Sequence, residues 1–581
     1  MVFSFNRLTL QSVSAAALIA LASLKGGRTT EGTAIFLTVS ALLFFITFRR
    51  YPLPKTDIDP FVIGSLTIAM TSAAHELPSG FRGVALLSLL AAYAANFYIF
   101  LQLKGKELCQ KISITIMTIS LVLSAGIAAQ WTADEMRYVF FPNNNLLISF
   151  LNCGVLTVLY LWHKCHREEP VGFRNRFTYG LVFGASLALL LAAELRVYSI
   201  GGAVALAAGL AAFALLNKIK APRIYAAAFV AALLGALLFP HLAKGFMLKA
   251  GIVLENYRLQ IWQSGWQAFL EKPLFGWGLG NFEIAYQVHR LPIDSLIGRY
   301  GQTTAFAHNE LIQVAVELGI LGLAASIIVL AAAAREVFLT YHNGMAQDYH
   351  HWALSCIAML LVHGFFDFNL HLPILGLLLM FFCAQFVRTQ NSFRGEAITN
   401  SLSAAMIVLF ATYFAAMTYI LALNRKTGNA RPPDIKEQSL RSLPRMDPMN
   451  HQPHADLARF LYAENRLEES LMAYHEAIER SPKDPFYLAE AGDIFIITNR
   501  MDLARPYYLS AVQLEPLYAF GHYRLGEIDL ALKNIPSAQN SFMNALRITE
   551  AALAPSSDYE RRLIDLDARI PRERMKMLPL Q

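Results

Sequence analysis

The sequence predicts an all-α protein, in which a bundle of about 12 to 13 membrane-spanning helices is followed by a soluble α-solenoid. Two observations predict this fold class. Of the 581 residues, 55% are hydrophobic and only 16% are charged, whereas a soluble domain carries about 25% charged residues. From about residue 425 the apolar runs end, and a charged, helical sequence with a period of 34 residues follows a short linker.

The apolar runs predict the membrane helices one by one. A run of about 17 to 25 residues is long enough to cross a hydrocarbon core ~30 Å thick as a helix. The predicted spans are 8–24, 32–48, 60–74, 84–101, 112–129, 146–162, 178–194, 200–216, 224–240, 310–334, 352–366, 373–388 and 398–423. The first run lacks the cleavage site of a signal peptide, so we count it as a span.

Lys and Arg are unequally distributed between the two sides of the predicted bundle. With the N-terminus inside, the inner loops hold 17 of these residues and the short outer loops hold 5. Positive residues are enriched in cytoplasmic loops. We therefore expect a cytoplasmic N-terminus, and an odd number of spans places the long loop 241–309 and the C-terminal chain on the outer side. The net charge of +7 restates this bias and does not indicate nucleic-acid binding.

The C-terminal chain contains an internal repeat. Aromatic residues, small residues and prolines recur every 34 residues, at Tyr474, Tyr508 and Phe542, at Ala477, Ala511 and Ala545, and at Pro482 and Pro516. This is the tetratricopeptide pattern, in which small residues let paired helices touch, and three units suffice for a stable stack. We expect a membrane domain at 1–424, a linker at 425–450 and a repeat domain at 451–581. The repeats could serve assembly and stability, or form a groove that binds a protein or peptide.

The five cysteines lie in or beside predicted spans and have no paired spacing. The sequence therefore predicts neither a disulfide framework nor a zinc ribbon.

The long outer loop carries an arginine suited to an anion. Arg258 lies one turn before Trp262 on a predicted helix at 254–270, whose apolar, aromatic stripe is typical of a helix in the membrane interface. A guanidinium group matches a phosphate or pyrophosphate bidentately. The alternative is an anchor to lipid headgroups.

A histidine stands at the end of the same loop. His308 precedes the span that begins near Glu310, Asn309 is a candidate N-cap, and Glu310 suits the positive end of the helix dipole. Histidine can take up a proton near neutral pH, here from an acceptor hydroxyl. The alternative is an interfacial histidine bonded to a loop carbonyl.

Three glycines lie between these residues, at Gly276, Gly278 and Gly280. Their GxGxG spacing and the lack of a preceding strand do not support a nucleotide fold. We predict a tight turn packed against a membrane helix, with Asn281 as a candidate cap for the following segment.

Two further charged residues could belong to the site. Glu317 lies two turns after Glu310, and a carboxylate inside a span usually faces a cavity or a partner. Its role is either catalytic or a structural pairing with Arg196 or Arg258. Arg196, near the outer end of a span, could hold a second phosphate or pair with Glu194.

His363, Asp367 and His371 recur every four residues and superficially suggest metal ligands. Asn369 and Pro373 predict that the helix breaks near Asp367, so the three side chains need not share a face. We predict no metal site.

The order of these motifs resembles that of the bacterial O-antigen ligase, O-antigen polymerase and protein O-oligosaccharyltransferase superfamily. The matching segments are 141–147, 195–196, 258–282, 307–310 with 317–322, and 363–373. Three departures occur: Asn144 replaces a proline, Leu195 stands where serine is usual, and the small residues Gly201 and Gly202 come late.

The resemblance implies transfer of a glycan from undecaprenyl pyrophosphate to an acceptor hydroxyl at the periplasmic face of the bacterial inner membrane, without metal, cofactor or nucleotide sugar. Arg258 and Arg196 would hold the pyrophosphate, and His308 would be the catalytic base. Supporting residues would be Asn145, Asn309, Glu310 and Glu317.

The acceptor stays open at this stage. Repeats on the outer side favour a protein Ser or Thr, and hence a protein O-oligosaccharyltransferase with a protein partner. A lipid A core ligase and then a polymerase are the alternatives. A transporter of lipid-linked glycan would place polar residues through several spans, and a non-enzymatic scaffold would leave Arg258 and His308 without a role.

Overall fold

A computed structural model describes residues 30–75, 80–129, 144–168, 173–197, 199–218, 257–291, 304–390, 396–427, 432–445, 447–551 and 558–578. The predicted spans 8–24 and 224–240, and parts of the loop 241–309, lie outside these ranges. Within them the regular elements are helices and no strand occurs. The predicted all-α class is therefore confirmed.

The membrane part contains helices at the other eleven predicted spans and two helices in the long loop 241–309. In chain order they are α1 (Thr30–Arg50), α2 (Asp59–His75), α3 (Gly80–Leu103), α4 (Lys106–Ala128), α5 (Asn144–Glu168), α6 (Phe173–Val197), α7 (Ile200–Leu216), the loop helices α8 (Tyr257–Glu271) and α9 (Phe282–His289), α10 (Glu310–His342), α11 (Asp348–Gly364), α12 (Pro373–Ala384) and α13 (Glu396–Lys426).

By length and composition, six helices of the described chain can cross a membrane: α3, α4, α5, α6, α10 and α13. The segment 373–388, which the sequence predicts to be a span, is not among these six helices. Its helix α12 has 12 residues, a rise of about 18 Å, which is shorter than a hydrocarbon core. Nearly all of its side chains are buried, because it packs between α3 and α11. It is a short core helix.

The two ends of the bundle carry separate ionic clusters. At one end, residues predicted for inner loops pair with one another, as in Arg335–Asp57 and Arg167–Asp348. At the other end, Arg82 pairs with Glu283 of the long loop. Residues predicted for the same side of the membrane therefore meet at the same end of the bundle.

Helix α10 is broken, although the sequence predicts a continuous span at 310–334. Gly319 has a φ of 65° and a ψ of −160°. Non-helical backbone at membrane depth is tolerated where protein covers it. Here the amide of Ile320 donates to the carbonyl of Pro273 at 2.8 Å, so the Gly-rich turn replaces the lost helical bond.

The C-terminal helices repeat at the period that the sequence predicts. The first helices of the three pairs begin at His451, Pro485 and Ala519, and the second helices begin at Leu467, Met501 and Ile535. Each step is 34 residues, which confirms the tetratricopeptide solenoid. The helices are α14 (Pro433–Ser442), α15 (His451–Ala463), α16 (Leu467–Arg480), α17 (Pro485–Ile497), α18 (Met501–Leu514), α19 (Ala519–Ala531), α20 (Ile535–Ala551), α21 (Asp558–Ile564) and α22 (Arg569–Lys576).

Candidate functional site

Three of the predicted site residues converge on the carboxylate of Asp367, which is fully buried. His308 Nδ1 lies 3.2 Å from Asp367 Oδ1. Asn145 Nδ2 donates to Asp367 Oδ2 at 2.7 Å, and Arg258 Nη2 lies 3.7 Å from the same oxygen. Four distant segments of the chain thus meet at one polar cluster.

Asp367 occupies the connection between α11 and α12. Helix α11 ends at Gly364, a 3-10 turn covers Asn369–His371, and Pro373 begins α12, as the sequence predicted for this break. Burial alone would raise the pKa of Asp367, but the hydrogen bond and charge of His308 and the charge of Arg258 outweigh it and lower that pKa. The carboxylate is therefore ionised at neutral pH.

His308 is held in a defined orientation. Its φ of 51° lies in the left-handed region, which turns the chain sharply before α10. Its ring meets the ring of Phe368 edge-on at 5.1 Å. The preceding carbonyl, of Ala307, accepts a hydrogen bond from Trp262 Nε1 at 2.9 Å. The arginine helix α8 and the histidine are thereby fastened together.

Asn309 and Glu310 support this corner. The Asn309 side chain accepts hydrogen bonds from the amides of Leu311 and Ile312 at 3.0 and 3.2 Å, so it is the predicted N-cap. Glu310 accepts a bond from the amide of Leu370 at 2.7 Å. It also lies 3.6 Å from His371. Both residues tie the start of α10 to the segment that carries Asp367.

Glu317 makes neither of the arginine pairs considered from the sequence. It is buried and accepts hydrogen bonds from Gln313 Nε2 at 2.6 Å and from the amide of Phe282 at 3.4 Å. Its backbone carbonyl accepts a bond from Gly278 at 3.0 Å. The residue therefore fastens the Gly-rich turn to α10.

The predicted tight turn is present, and Gly276, Gly278 and Gly280 all have positive φ values. A Cβ atom at Gly276 would lie 2.5 Å from the carbonyl oxygen of Val316, so the turn approaches α10 too closely for any side chain there. The expected cap at Asn281 is wrong. Its side chain donates to the carbonyl of Trp277 and makes no capping hydrogen bond to α9.

The side chains of the apolar stripe of α8 lie in two different environments. Ile261 and Phe269 are buried in the core of the long loop, whereas Trp266 is 55% exposed. The sequence assigned all of them to the membrane interface. Part of that face instead packs against α9 and the start of α10, because the loop has a hydrophobic core of its own.

Arg196 does not join the cluster around Asp367 in the described residues. It lies exposed in the last turn of α6. The alternative pairing with Glu194 is also not formed, since the buried Oε1 of Glu194 has no hydrogen-bond partner there.

His363, Asp367 and His371 point to different partners, as the predicted helix break suggests. His363 Nδ1 contacts the hydroxyl of Ser149, while His371 approaches Glu310. In the part of the chain that the structure describes, no group of three His, Cys, Asp or Glu residues is arranged to hold a metal ion.

Sequence reasoning missed the central position of Asp367. The available signal was a carboxylate at the end of a predicted span, where charge is expensive and usually functional. The spacing of Asp367 with His363 and His371 superficially suggests metal ligands, and does not indicate a contact with His308.

Residues 183–327 match the model of the O-antigen ligase family (Wzy_C). This segment is similar to the O-antigen ligase domain. It includes Arg196, Arg258, His308 and Glu317, whereas Asp367 lies beyond it. The family indicates glycan transfer of the O-antigen ligase or polymerase type.

No curated protein sequence matches this chain. Solved structures similar to it include the MamA protein (13% identity, TM-score 0.22, covering 28% of this chain and 84% of that one). The Sgt2 TPR domain from Aspergillus fumigatus is 16% identical, with a TM-score of 0.17 and coverage of 22% and 86%. MamA 41-end from Desulfovibrio magneticus RS-1 is 14% identical, with a TM-score of 0.22 and coverage of 28% and 87%.

Proposed function

We propose that this protein transfers a glycan from undecaprenyl pyrophosphate to a Ser or Thr hydroxyl of a protein, at the periplasmic face of the bacterial inner membrane. The observation that carries the proposal is the contact of His308 Nδ1 with the buried carboxylate of Asp367, next to Arg258, at the end of the bundle that holds the long loop. The match of residues 183–327 to the O-antigen ligase family supports the class of reaction.

In this mechanism His308 is the base. The ionised Asp367 accepts the hydrogen on Nδ1, which leaves the lone pair on Nε2. Nε2 takes the proton of the acceptor hydroxyl while the hydroxyl oxygen attacks the anomeric carbon of the glycan. The bond from that carbon to the pyrophosphate oxygen breaks, and its electron pair leaves with the lipid pyrophosphate.

Arg258 stabilises the leaving group. Its side chain is 23% exposed, so the guanidinium reaches Asp367 and also the surface where a pyrophosphate can approach. A fixed arginine offsets the charge that develops on the leaving oxygen, by electrostatic preorganisation. Arg196 is the second candidate for this role, and substrate binding must then bring it towards Arg258.

The repeats favour a protein acceptor over lipid A core or a growing glycan. Their linker residue Asp447 contacts Arg82 at the same end of the bundle as the long loop. A solenoid at that position would present a protein substrate to the site. Ligation to lipid A core is the second candidate, supported by the family match.

The test uses purified full-length protein in detergent, undecaprenyl pyrophosphate carrying a glycan, and two acceptors: a Ser-containing pilin-like protein and lipid A core. Products are followed by gel shift and mass spectrometry. We compare the wild type with His308→Ala and Arg258→Ala. The matched controls are His342→Ala and Arg335→Ala, because both residues are exposed at the opposite end of the bundle.

Transfer to protein that His308→Ala and Arg258→Ala abolish, and the controls retain, would support the proposal. Transfer only to lipid would assign the protein to the ligases. Full activity in both site variants would refute the assignment of these residues.

A further inference from the structure

The outer loop of the membrane part is joined to the repeats by a buried arginine. Arg290 follows α9 directly, and its side chain is 5% exposed. It lies 3.1 Å from Glu515, which is fully buried. It also donates to Tyr559 Oη at 2.9 Å and to the backbone carbonyl of Lys483 at 2.7 Å.

These contacts come from three separate parts of the repeat domain. Lys483 precedes α17, Glu515 follows α18, and Tyr559 belongs to α21. The ring of Tyr559 also meets the ring of Phe486 edge-on at 5.4 Å. An arginine buried among them is stable only when its charge is paired and its donors are used. The carboxylate of Glu515, the hydroxyl of Tyr559 and the carbonyl of Lys483 satisfy that need. Together they form a specific binding site for the Arg290 side chain.

The other end of α9 is fastened as well. Glu283, in the first turn of α9, accepts a hydrogen bond from Arg82 Nη1 at 2.8 Å. The Nε of the same arginine donates to Asp447 of the linker at 3.1 Å. Helix α9 is therefore held at its start by α3 and the linker, and at its end by the repeats.

Helix α9 in turn packs against the residues that position His308. Phe282, Ile284 and Ala285 share one buried core with Ile261 of the arginine helix and with Ala307, the residue before His308. A displacement of α9 must change this core, because closely packed interiors transmit strain.

We propose that the repeat domain braces the transfer site: Glu515 and Tyr559 hold Arg290, and through α9 they position the Ala307–His308 corner. Arg290 and Glu515 are positioning residues in this scheme. The role in transfer rests on the function proposed above, whereas the mechanical coupling from Arg290 to residues 304–312 does not.

The experiment measures hydrogen–deuterium exchange and transfer on the same full-length preparations. Variants are Arg290→Gln, Glu515→Gln and the double variant, with Arg290→Lys as the conservative change. The control is Arg505→Gln, which removes an arginine paired with a buried carboxylate, Asp529, inside the repeats and away from the loop.

We expect each single variant to raise exchange in both 282–290 and 304–312, and the double variant to add little, since the two residues act as one pair. The kcat of transfer should fall at least about tenfold, with the KM for the lipid donor unchanged because Arg258 is retained. Arg290→Lys should recover part of both losses. Arg505→Gln should leave both exchange segments and kcat as in the wild type.

Exchange that rises in 282–290 but not in 304–312 would overturn the brace, as would unchanged exchange in both. Coupled exchange with an unaltered kcat would overturn the role in transfer. A wild type that transfers to no acceptor would count against the proposed function, while exchange in 304–312 would still decide the coupling.

Discussion

The Nδ1 atom of His308 lies 3.2 Å from a carboxylate oxygen of Asp367, although 59 residues separate them in the chain. The carboxylate fixes both the orientation of the imidazole and the tautomer that it adopts. A base needs its lone pair on the nitrogen that faces the acceptor. The relationship therefore makes Asp367 as important to the proposed reaction as the histidine.

Replacing Asp367 by Asn should remove most of the activity. The amide keeps the size of the side chain, but its NH₂ group can donate to Nδ1 and favour the tautomer with the proton on Nε2. In that tautomer Nε2 cannot take up the proton of the acceptor hydroxyl. We therefore expect kcat to fall by about 100-fold to 10,000-fold, the usual contribution of a general base. Initial rates of transfer by Asp367→Asn check this.

The matched control is Asp348→Asn, at the opposite end of the bundle, where Asp348 pairs with Arg167. It should transfer at the wild-type rate. A wild-type kcat in Asp367→Asn would show that the carboxylate does not assist His308.

The sequence predicted what local patterns determine. Asn309 was identified as a cap because capping depends on the next three residues, and the 34-residue step was visible because each repeat solves the same packing problem. The central position of Asp367 was not predicted, and Arg290 was not considered. In both cases the partners of the residue lie far away along the chain. No local pattern connects Arg290 with Glu515.

The same limit explains Gly319. A single glycine in an apolar run is compatible with a continuous helix, and only the approach of a second backbone reveals the break. The partners of Glu317 were not predicted for the same reason, because its side chain contacts the start of α9 and its own helical neighbour Gln313.

Substituting Gly319 by Ala should destabilise the membrane part strongly. A Cβ atom there would lie 2.4 Å from the carbonyl oxygen of Leu274, on backbone with a φ of 65°. Overpacking and left-handed strain together should cost at least about 3 kcal/mol. We expect a lower unfolding temperature in detergent and a loss of transfer.

Gly344→Ala separates the two causes. Gly344 has a φ of 68°, but nothing lies within 4 Å of its Cβ position, so only strain of about 1 kcal/mol applies. Equal melting temperatures of the two variants would contradict the proposed steric interlock between α10 and the turn.

The repeat domain should lose stability in mild acid through His451. This side chain is buried, contacts Tyr487 Oη at 2.6 Å, and burial lowers its pKa to about 4. The unfolded chain binds the proton near the usual value of about 6.5, whereas the folded chain does not. Stability from this group is therefore complete above pH 6.5 and is lost as the pH falls towards 4, by up to about 3 kcal/mol.

Exchange of residues 451–497 in full-length protein, corrected for the intrinsic pH dependence of amide exchange, measures this loss. His451→Gln should reduce the dependence between pH 6.5 and 4 without abolishing it, because burial also lowers the pKa of His454 to about 4. The exposed His475→Gln should leave the dependence unchanged. Asp484 acts in the opposite direction, since burial raises its pKa to about 6 and protonation then favours the folded state. The difference between wild type and His451→Gln isolates the histidine, and identical profiles would mean that His451 does not govern the acid response.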